Sequence, residues 1–245
     1  MRTIKVRLCY DGTRYKGWQR LTGEENTLQG KLETALSRIL GEPIEVSGSG
    51  RTDAGAHALG QVASFHCENP MDCGALLEQL RRYLPEDMGI YSCEEAEPRF
   101  HARLNAKKKT YCYRVWNSDA PCVFERRYVY RVEEALDMGA MALACEKFLG
   151  SHDFSAFSSN KHVKKSNVRE IYDFTVKRVG PEIRFTVTGN GFLYNMVRIM
   201  VGTVLEVGMG RRDPAEIPEI LAGKSREAAG YTVPAKGLCL MEVSY

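Results

Sequence analysis

The chain lacks the marks of a secreted, membrane-spanning or metal-clustered protein. Its eight cysteines, at 9, 67, 73, 93, 112, 122, 145 and 239, form no Cys-x-x-Cys pair, and the nearest two stand six residues apart. Zinc ribbons and thioredoxin-type sites need closer spacing, so neither is supported. Without a secretion signal these cysteines read as reduced thiols, mostly buried. Met1-Arg2-Thr3-Ile4-Lys5 carries charge where a signal peptide needs an apolar core, so none is expected. No window approaches the ~18 uninterrupted apolar residues of a membrane span. The most apolar stretch, Phe192 to Leu205, still holds Asn195 and Arg198. The expectation is a cytoplasmic protein with no membrane attachment.

A large charge of one sign is also missing. Thirty-four Lys and Arg face 31 Asp and Glu, for a formal net charge of +3. That balance does not by itself indicate a nucleic-acid binder, so any polyanionic partner must be met by clustered cations. Clusters exist at Arg81-Arg82, Lys107-Lys108-Lys109, Arg126-Arg127, Lys161 with Lys164, Lys165 and Arg169, and Arg211-Arg212. Any single pair reads equally well as solvated surface charge. Together they leave room for a phosphate-binding surface. Low-complexity segments and solenoid-type repeats are absent from the sequence.

What is present is a soluble globular composition, 44% hydrophobic and 27% charged over 245 residues. Strand and helix patterns intermix along it. Ile4, Val6, Leu8 and Tyr10 alternate with polar neighbours as a half-buried strand. Thr27 opens an amphipathic helix with Leu28, Leu32, Ala35, Leu36, Ile39 and Leu40 on one face, stopped at Gly41 to Pro43. Ile44 to Ser47 and Val62 to Cys67 read as strands, and Asp72 caps a helix that Pro85 ends. Further on, Thr110 to Val115 is a strand and Glu133 to Leu149 a helix. Val168 to Val176 and Ile183 to Thr188 form a strand pair turning at Gly180-Pro181, and an apolar helix starts at about Leu193. The order of elements is similar in the two halves, with a join near Arg99 to Ala106. The fold class is α+β: two lobes, 1–103 and 104–245, with a cleft between them as the expected site.

Three segments carry candidate chemistry. GSGRTDAGAHALGQVASF runs from Gly48 to Phe65, and between Val46 and Cys67 its formal charges are Arg51 and Asp53 alone. A lone carboxylate in a glycine-rich loop between apolar strands is a candidate nucleophile or base. The competing reading is a turn aspartate bonded to its own backbone, with Arg51 as partner. No Gly-Lys-Ser/Thr follows the glycines, which argues against a phosphate cradle of the P-loop kind. Asp53 and His57 are four apart, but Gly55 lies between them and no third metal ligand is near, so no metal is expected. A hydrogen-bonded structural role is the commoner use of such a histidine. The second segment contains Arg198, the one charged side chain from Phe185 to Leu205. Pointing into protein, it requires a carboxylate or phosphate partner, and Asp53 is a candidate. The third, FHARLNAKKKTYCYRV from Phe100, interleaves cations with Tyr111 and Tyr113 on one strand face. That arrangement suits base stacking or an ordinary core equally.

GSGRTDAGAHALGQVASF resembles the active-site signature of the TruA family of tRNA pseudouridine synthases. YDGTRYKGWQR, NTLQGKLETAL, FHARLNAKKKTYCYRV, HDFSAF, KSNVREI, GNGFLYNMVRIMVGTVLEVG and PAKGLCLMEVSY resemble further blocks of that family, in family order across nearly the whole chain. The resemblance implies a pseudouridine synthase fold, two α/β lobes sharing a mixed, mainly antiparallel sheet with the active-site cleft between them. It implies Asp53 as catalytic carboxylate, Tyr111 as active-site tyrosine and Arg198 as the arginine paired with the aspartate. Arg51 falls on the arginine that fills the space left by an extruded base, and His57 joins Arg51 and Tyr111 as a substrate-side candidate. It further implies tRNA as substrate, uridines at about positions 38 to 40 of the anticodon stem-loop, a homodimer, and no cofactor.

Overall fold

The computed structural model describes residues 1–160 and 166–245. Lys161, Lys164 and Lys165 of the fourth basic cluster lie outside the described residues. The chain is α+β and divides into two compact units, Met1–Lys107 with Cys239–Tyr245, and Lys108–Leu238. This differs from a division at 103/104 mainly in the C-terminal strand, which pairs within the first unit.

In the first unit β1 (Arg2–Tyr10) lies between two antiparallel neighbours, β3 (His57–Cys67) and β4 (Met88–Ala96). A two-residue strand, β2 (Ser47–Gly48), pairs with β3 through Ser64 and Ala63. The alternation in β1 works as expected: Ile4, Val6 and Leu8 are fully buried, while Arg7 faces out over the Tyr91 ring at 5.0 Å. Helix α1 (Leu28–Leu40) starts where Thr27 Oγ1 accepts from the Gly30 N–H at 3.3 Å, and ends at Gly41 with φ +73°. Helix α2 (Cys73–Tyr83) is capped by Asp72, whose carboxylate accepts from the Gly74 and Ala75 N–H groups. Leu28, Leu32, Leu36, Leu76 and Leu80 complete the core on this side. Residues 44–46 do not form the expected strand. Their N–H groups go to side chains of α1, Ile44 to Ser37 Oγ and Val46 to Glu33 Oε1, each at 2.9 Å.

The second unit is built on β5 (Lys108–Trp116), β7 (Gly150–Asp153), β8 (Val168–Val179) and β9 (Glu182–Gly189), antiparallel in the order β5-β9-β8-β7. The short β6 (Tyr130–Arg131) runs parallel to β5. In the first unit β10 (Leu238–Ser244) likewise runs parallel to β3, so strand pairing is mixed but mainly antiparallel. Helix α3 (Met138–Glu146) is shorter than the apolar pattern implied, because Asp137 caps it by accepting from the Ala140 N–H. Helix α4 (Met196–Gly208) begins after Asn195, whose left-handed φ of 62° is incompatible with a helix interior. Eleven residues of α4 are buried, leaving Arg198 and Glu206 as its partly exposed positions. Helix α5 (Glu216–Gly223) follows. Among the described residues no helix is long and apolar enough to cross a membrane.

Helix α4 is held against the segment 229–233 by backbone approach. A Cβ on Gly202 would stand 1.9 Å from the Tyr231 carbonyl oxygen, and the Gly230 N–H donates to Thr203 Oγ1 at 2.9 Å. Gly202→Ala therefore forces the helix off this segment. We expect a loss of about 2 kcal/mol, read as a fall of several degrees in Tm by calorimetry.

Candidate active site

Residues 49–56 connect β2 to β3 and carry the candidate carboxylate. Asp53 is half-buried, Thr52 is buried, and Arg51 and Ala54 face solvent. The loop turns through a hydrogen bond from the Ala56 N–H to the Asp53 carbonyl, with Gly55 at φ +80°. The backbone of the segment after β1 seats it. The Trp18 N–H donates to the Thr52 carbonyl at 3.0 Å, and a Cβ on Gly17 would stand 2.9 Å from that same oxygen and 3.4 Å from the Asp53 carbonyl carbon. A Cβ on Gly12 would lie 1.9 Å from the Ala56 carbonyl oxygen, and one on Gly48 would enter the Trp18 indole. Three glycines thus bring chain and ring against the loop from both ends. Tyr15 and Arg14 hold the clamping segment itself through Asp87.

His57, expected on the substrate side, has a structural task. It is buried, and its Nδ1 accepts from the Gly12 N–H at 3.1 Å. Asp11 Oδ1 is also 3.2 Å from Nδ1, a distance that would suit an ion pair. The Gly12 N–H can only donate, so Nδ1 acts as acceptor toward it, with Asp11 Oδ1 beside the pair. Asp11 also caps the turn after β1, accepting from the Thr13 N–H and hydroxyl. Among the described residues no set of three His, Cys, Asp or Glu side chains is arranged to hold a metal ion. The Arg51 guanidinium makes no hydrogen bond or ion pair among the described residues, so it is not the loop partner of Asp53.

Tyr111 and Arg198 lie in the second unit. On β5, Tyr111 pairs with Val187 and Tyr113 with Phe185 of β9, which puts both rings on one face as the alternation implied. Tyr113 is fully buried and donates its hydroxyl to the Pro234 carbonyl at 2.7 Å. Burial pushes that phenol well above its usual range. It is a core residue. The Tyr111 ring meets Phe192 edge-on, centroids 5.1 Å apart at 85°, and retains 7% exposure. Arg198 is half-buried, as a lone charge on an apolar helix requires. Its Nε donates to the Val233 carbonyl and its Nη1 to Asn195 Oδ1, both at 2.8 Å. Asn195 is anchored in turn by its Nδ2 on Ser159 Oγ at 3.0 Å. The left-handed turn at Asn195 thus serves to aim an amide at the arginine.

The basic clusters differ in character. Arg212 is paired with Glu206 and Glu216, and Arg211 with Glu134, so this cluster is internally neutralised. Arg81 hydrogen-bonds the Ile90 carbonyl beside an exposed Arg82. Lys108 lies over the Tyr172 ring at 5.2 Å. Arg126 and Arg127 are exposed. What the sequence reading missed was the clamp, namely Tyr10, Gly12, Gly17 and Trp18, because its spacing becomes meaningful only once the segment folds over the loop.

A family model described as tRNA pseudouridine synthase matches residues 9–105 and 144–245. The chain is 47% identical over 245 residues to the tRNA pseudouridine synthase A of Bacillus sp. strain KSM-64, covering all of both chains. It is 46% identical over 247 residues to that of Brevibacillus brevis and 43% over 245 residues to that of Acetivibrio thermocellus, again over the full length of each.

Two glycines of similar backbone separate strain from contact. Gly17 and Gly23 have φ of +93° and +78°, but Gly23 has nothing near its absent Cβ. Gly23→Ala should cost only the left-handed strain, about 1 kcal/mol, whereas Gly17→Ala should cost two to three times as much, roughly 2–3 kcal/mol. Urea unfolding of the two variants checks the difference.

Proposed function

We propose, from the premise that the chain belongs to the tRNA pseudouridine synthase family, that it isomerises uridine at about positions 38 to 40 of the tRNA anticodon stem-loop, with Asp53 as the nucleophilic carboxylate. The chain is an isomerase that makes pseudouridine in tRNA. What supports the assignment of Asp53 is the clamped loop. Asp53 is the one carboxylate between Val46 and Cys67, half-buried, on a backbone held at Thr52, Asp53 and Ala56. Positioned chemistry requires such fixing of a reacting group.

The reaction breaks the bond from C1′ to N1, turns the uracil, and joins C1′ to C5. The C5 proton leaves and N1 gains one, so atoms balance with no external group. Asp53 acts as nucleophile during glycosidic cleavage, when positive charge develops at the sugar. In this reading Arg198, held by Val233 and Asn195, is the arginine that orients the carboxylate. Tyr111 supplies a stacking face or assists removal of the C5 proton. The base must leave its stack first, at a cost of a few kcal/mol. Arg51, exposed and without a partner among the described residues, fits the task of occupying the gap. His57 contributes by fixing Gly12 rather than by touching the base. The protein works in the cytoplasm as a homodimer, and exposed cations such as Arg126 and Arg127 serve the phosphates.

Release of tritium from C5-labelled uridine in unmodified tRNA tests the assignment. Asp53→Asn should lower release by ~10³-fold or more while changing the tRNA Kd by less than about threefold. Release near the wild-type rate would remove Asp53 from the nucleophile role. Arg198→Ala should lower kcat/KM by roughly 10²-fold and stability by about 1–3 kcal/mol, since the Val233 carbonyl and Asn195 Oδ1, both part-buried, lose their donor. Unchanged turnover and Tm would count against the pairing.

A further inference from the structure

Gln61 on β3 is fully buried, although a glutamine side chain is ordinarily exposed. It sits opposite Leu8 in the β1–β3 ladder, next to the register shift between Leu8 and Tyr10. Every hydrogen-bonding capacity of its amide is used. Oε1 accepts from Ser49 Oγ at 2.6 Å and from the Val62 N–H at 3.2 Å. Nε2 donates to the Gly50 carbonyl at 3.0 Å and to Tyr10 Oη at 3.2 Å. The Val62 N–H can only donate and the Gly50 carbonyl can only accept, so the amide has one orientation and cannot flip. Tyr10 Oη extends the network to Thr52 Oγ1 at 2.9 Å. Ser49, Gly50 and Thr52, three of the four residues before Asp53, are therefore tied to one side chain, directly or through one hydroxyl. Ser49 and Thr52 are themselves buried.

We propose that Gln61 is a positioning residue for catalysis: through Ser49, Gly50 and the Tyr10–Thr52 link it sets the geometry of the Asp53 carboxylate. The proposal rests on the reading of Asp53 as the nucleophile. A buried amide with all four bonds made accepts no alternative arrangement, because any shift of the loop strands a donor or acceptor away from water. The loop is thus held in one place by the Gln61 network as well as by the glycine contacts. A displacement of about 1 Å of a reacting group costs on the order of 10²-fold in rate. Loss of Gln61 should therefore act on the chemical step and leave RNA affinity, which depends on phosphate and shape contacts over a wide surface, almost untouched.

The test compares wild type, Gln61→Met, Tyr10→Phe and Asp53→Asn in single-turnover tritium release from saturating C5-labelled tRNA, well below each Tm, with tRNA Kd measured in parallel. Gln61→Met keeps the length and burial of the side chain while removing its polar bonds. It should lower the bound-state rate roughly 10²-fold with Kd changed less than about threefold. Tyr10→Phe, which removes one link, should lower the rate by about three- to tenfold. The Gln61→Met/Tyr10→Phe double variant, measured alongside, should be no slower than Gln61→Met alone, because the residues act as one unit. A Gln61→Met enzyme that melts lower but turns over bound tRNA at the wild-type rate overturns the proposal and leaves Gln61 a stability residue. If Gln61→Met does not fold, Tyr10→Phe decides, and a wild-type bound-state rate there overturns it equally. Failure of the underlying reading looks different, since Asp53→Asn itself would then retain turnover.

Discussion

The candidate site depends on backbone meeting backbone with no side chain between. The segment after β1 reaches the Asp53 loop at Gly12 and Gly17, and the loop's approach strand reaches the Trp18 ring at Gly48. At each point a single methyl group would occupy space already filled. The contacts are short because they are unbuffered, and unbuffered contacts transmit position. Interiors packed to crystal density do not deform continuously, so a carboxylate carried on such a loop inherits the rigidity of the sheet beneath it. Glycine usually signals mobility; here close approach turns it to the opposite use.

The other constraint is the charge on α4. A helix buried on nearly every side gains from apolar contact and is penalised for any cation it carries. Two devices make Arg198 tolerable. Its neighbour Asn195 adopts a left-handed turn that points an amide oxygen back at the guanidinium, and Val233 offers a carbonyl. The segment that offers this carbonyl is the one Gly202 and Gly230 allow to lie against the helix. Anchoring the arginine and packing the helix are one arrangement. The partly exposed Glu206, lower on the same helix, is likewise paired, with Arg212. Polar groups on α4 are few and every one of them has a structural neighbour.

Much of this was legible in residue pattern. The strand alternation of β1, the caps at Thr27 and Asp72, and the β8–β9 turn at Gly180 follow local rules, and each is found. Asp53 and Arg198 stood out because charge is scarce around them, a signal that burial produces directly. Boundaries read less well where side chains replace backbone partners. Residues 44–46 have strand-like composition, yet their N–H groups are taken by Glu33 and Ser37. The helix before Gly150 reads long because its apolar content is high, while a single Asp137 cap decides where it begins. The short strand β6 and the clamp around the loop were not legible at all, and of β2 only Ser47 lay within an expected strand. They are relations between segments distant in sequence, and no window of residues contains them.

Strand β10 pairs with β3 where the Asp53 loop ends, Cys239 opposite His57 and Leu240 opposite Ala58, and Gly60 admits the Met241 carbonyl so closely that a Cβ there would lie 2.2 Å from it. During vectorial synthesis, β3 leaves the ribosome about 180 residues ahead of the strand that covers it. At ~5–20 residues per second that is roughly ten to forty seconds. For that interval the segment from His57 to Gly60 is an open sheet edge, the kind of surface that recruits unwanted partners. A polypeptide released early would carry the whole Asp53 loop and yet leave it unbraced on that side. Complete translation thus becomes a condition for a finished loop.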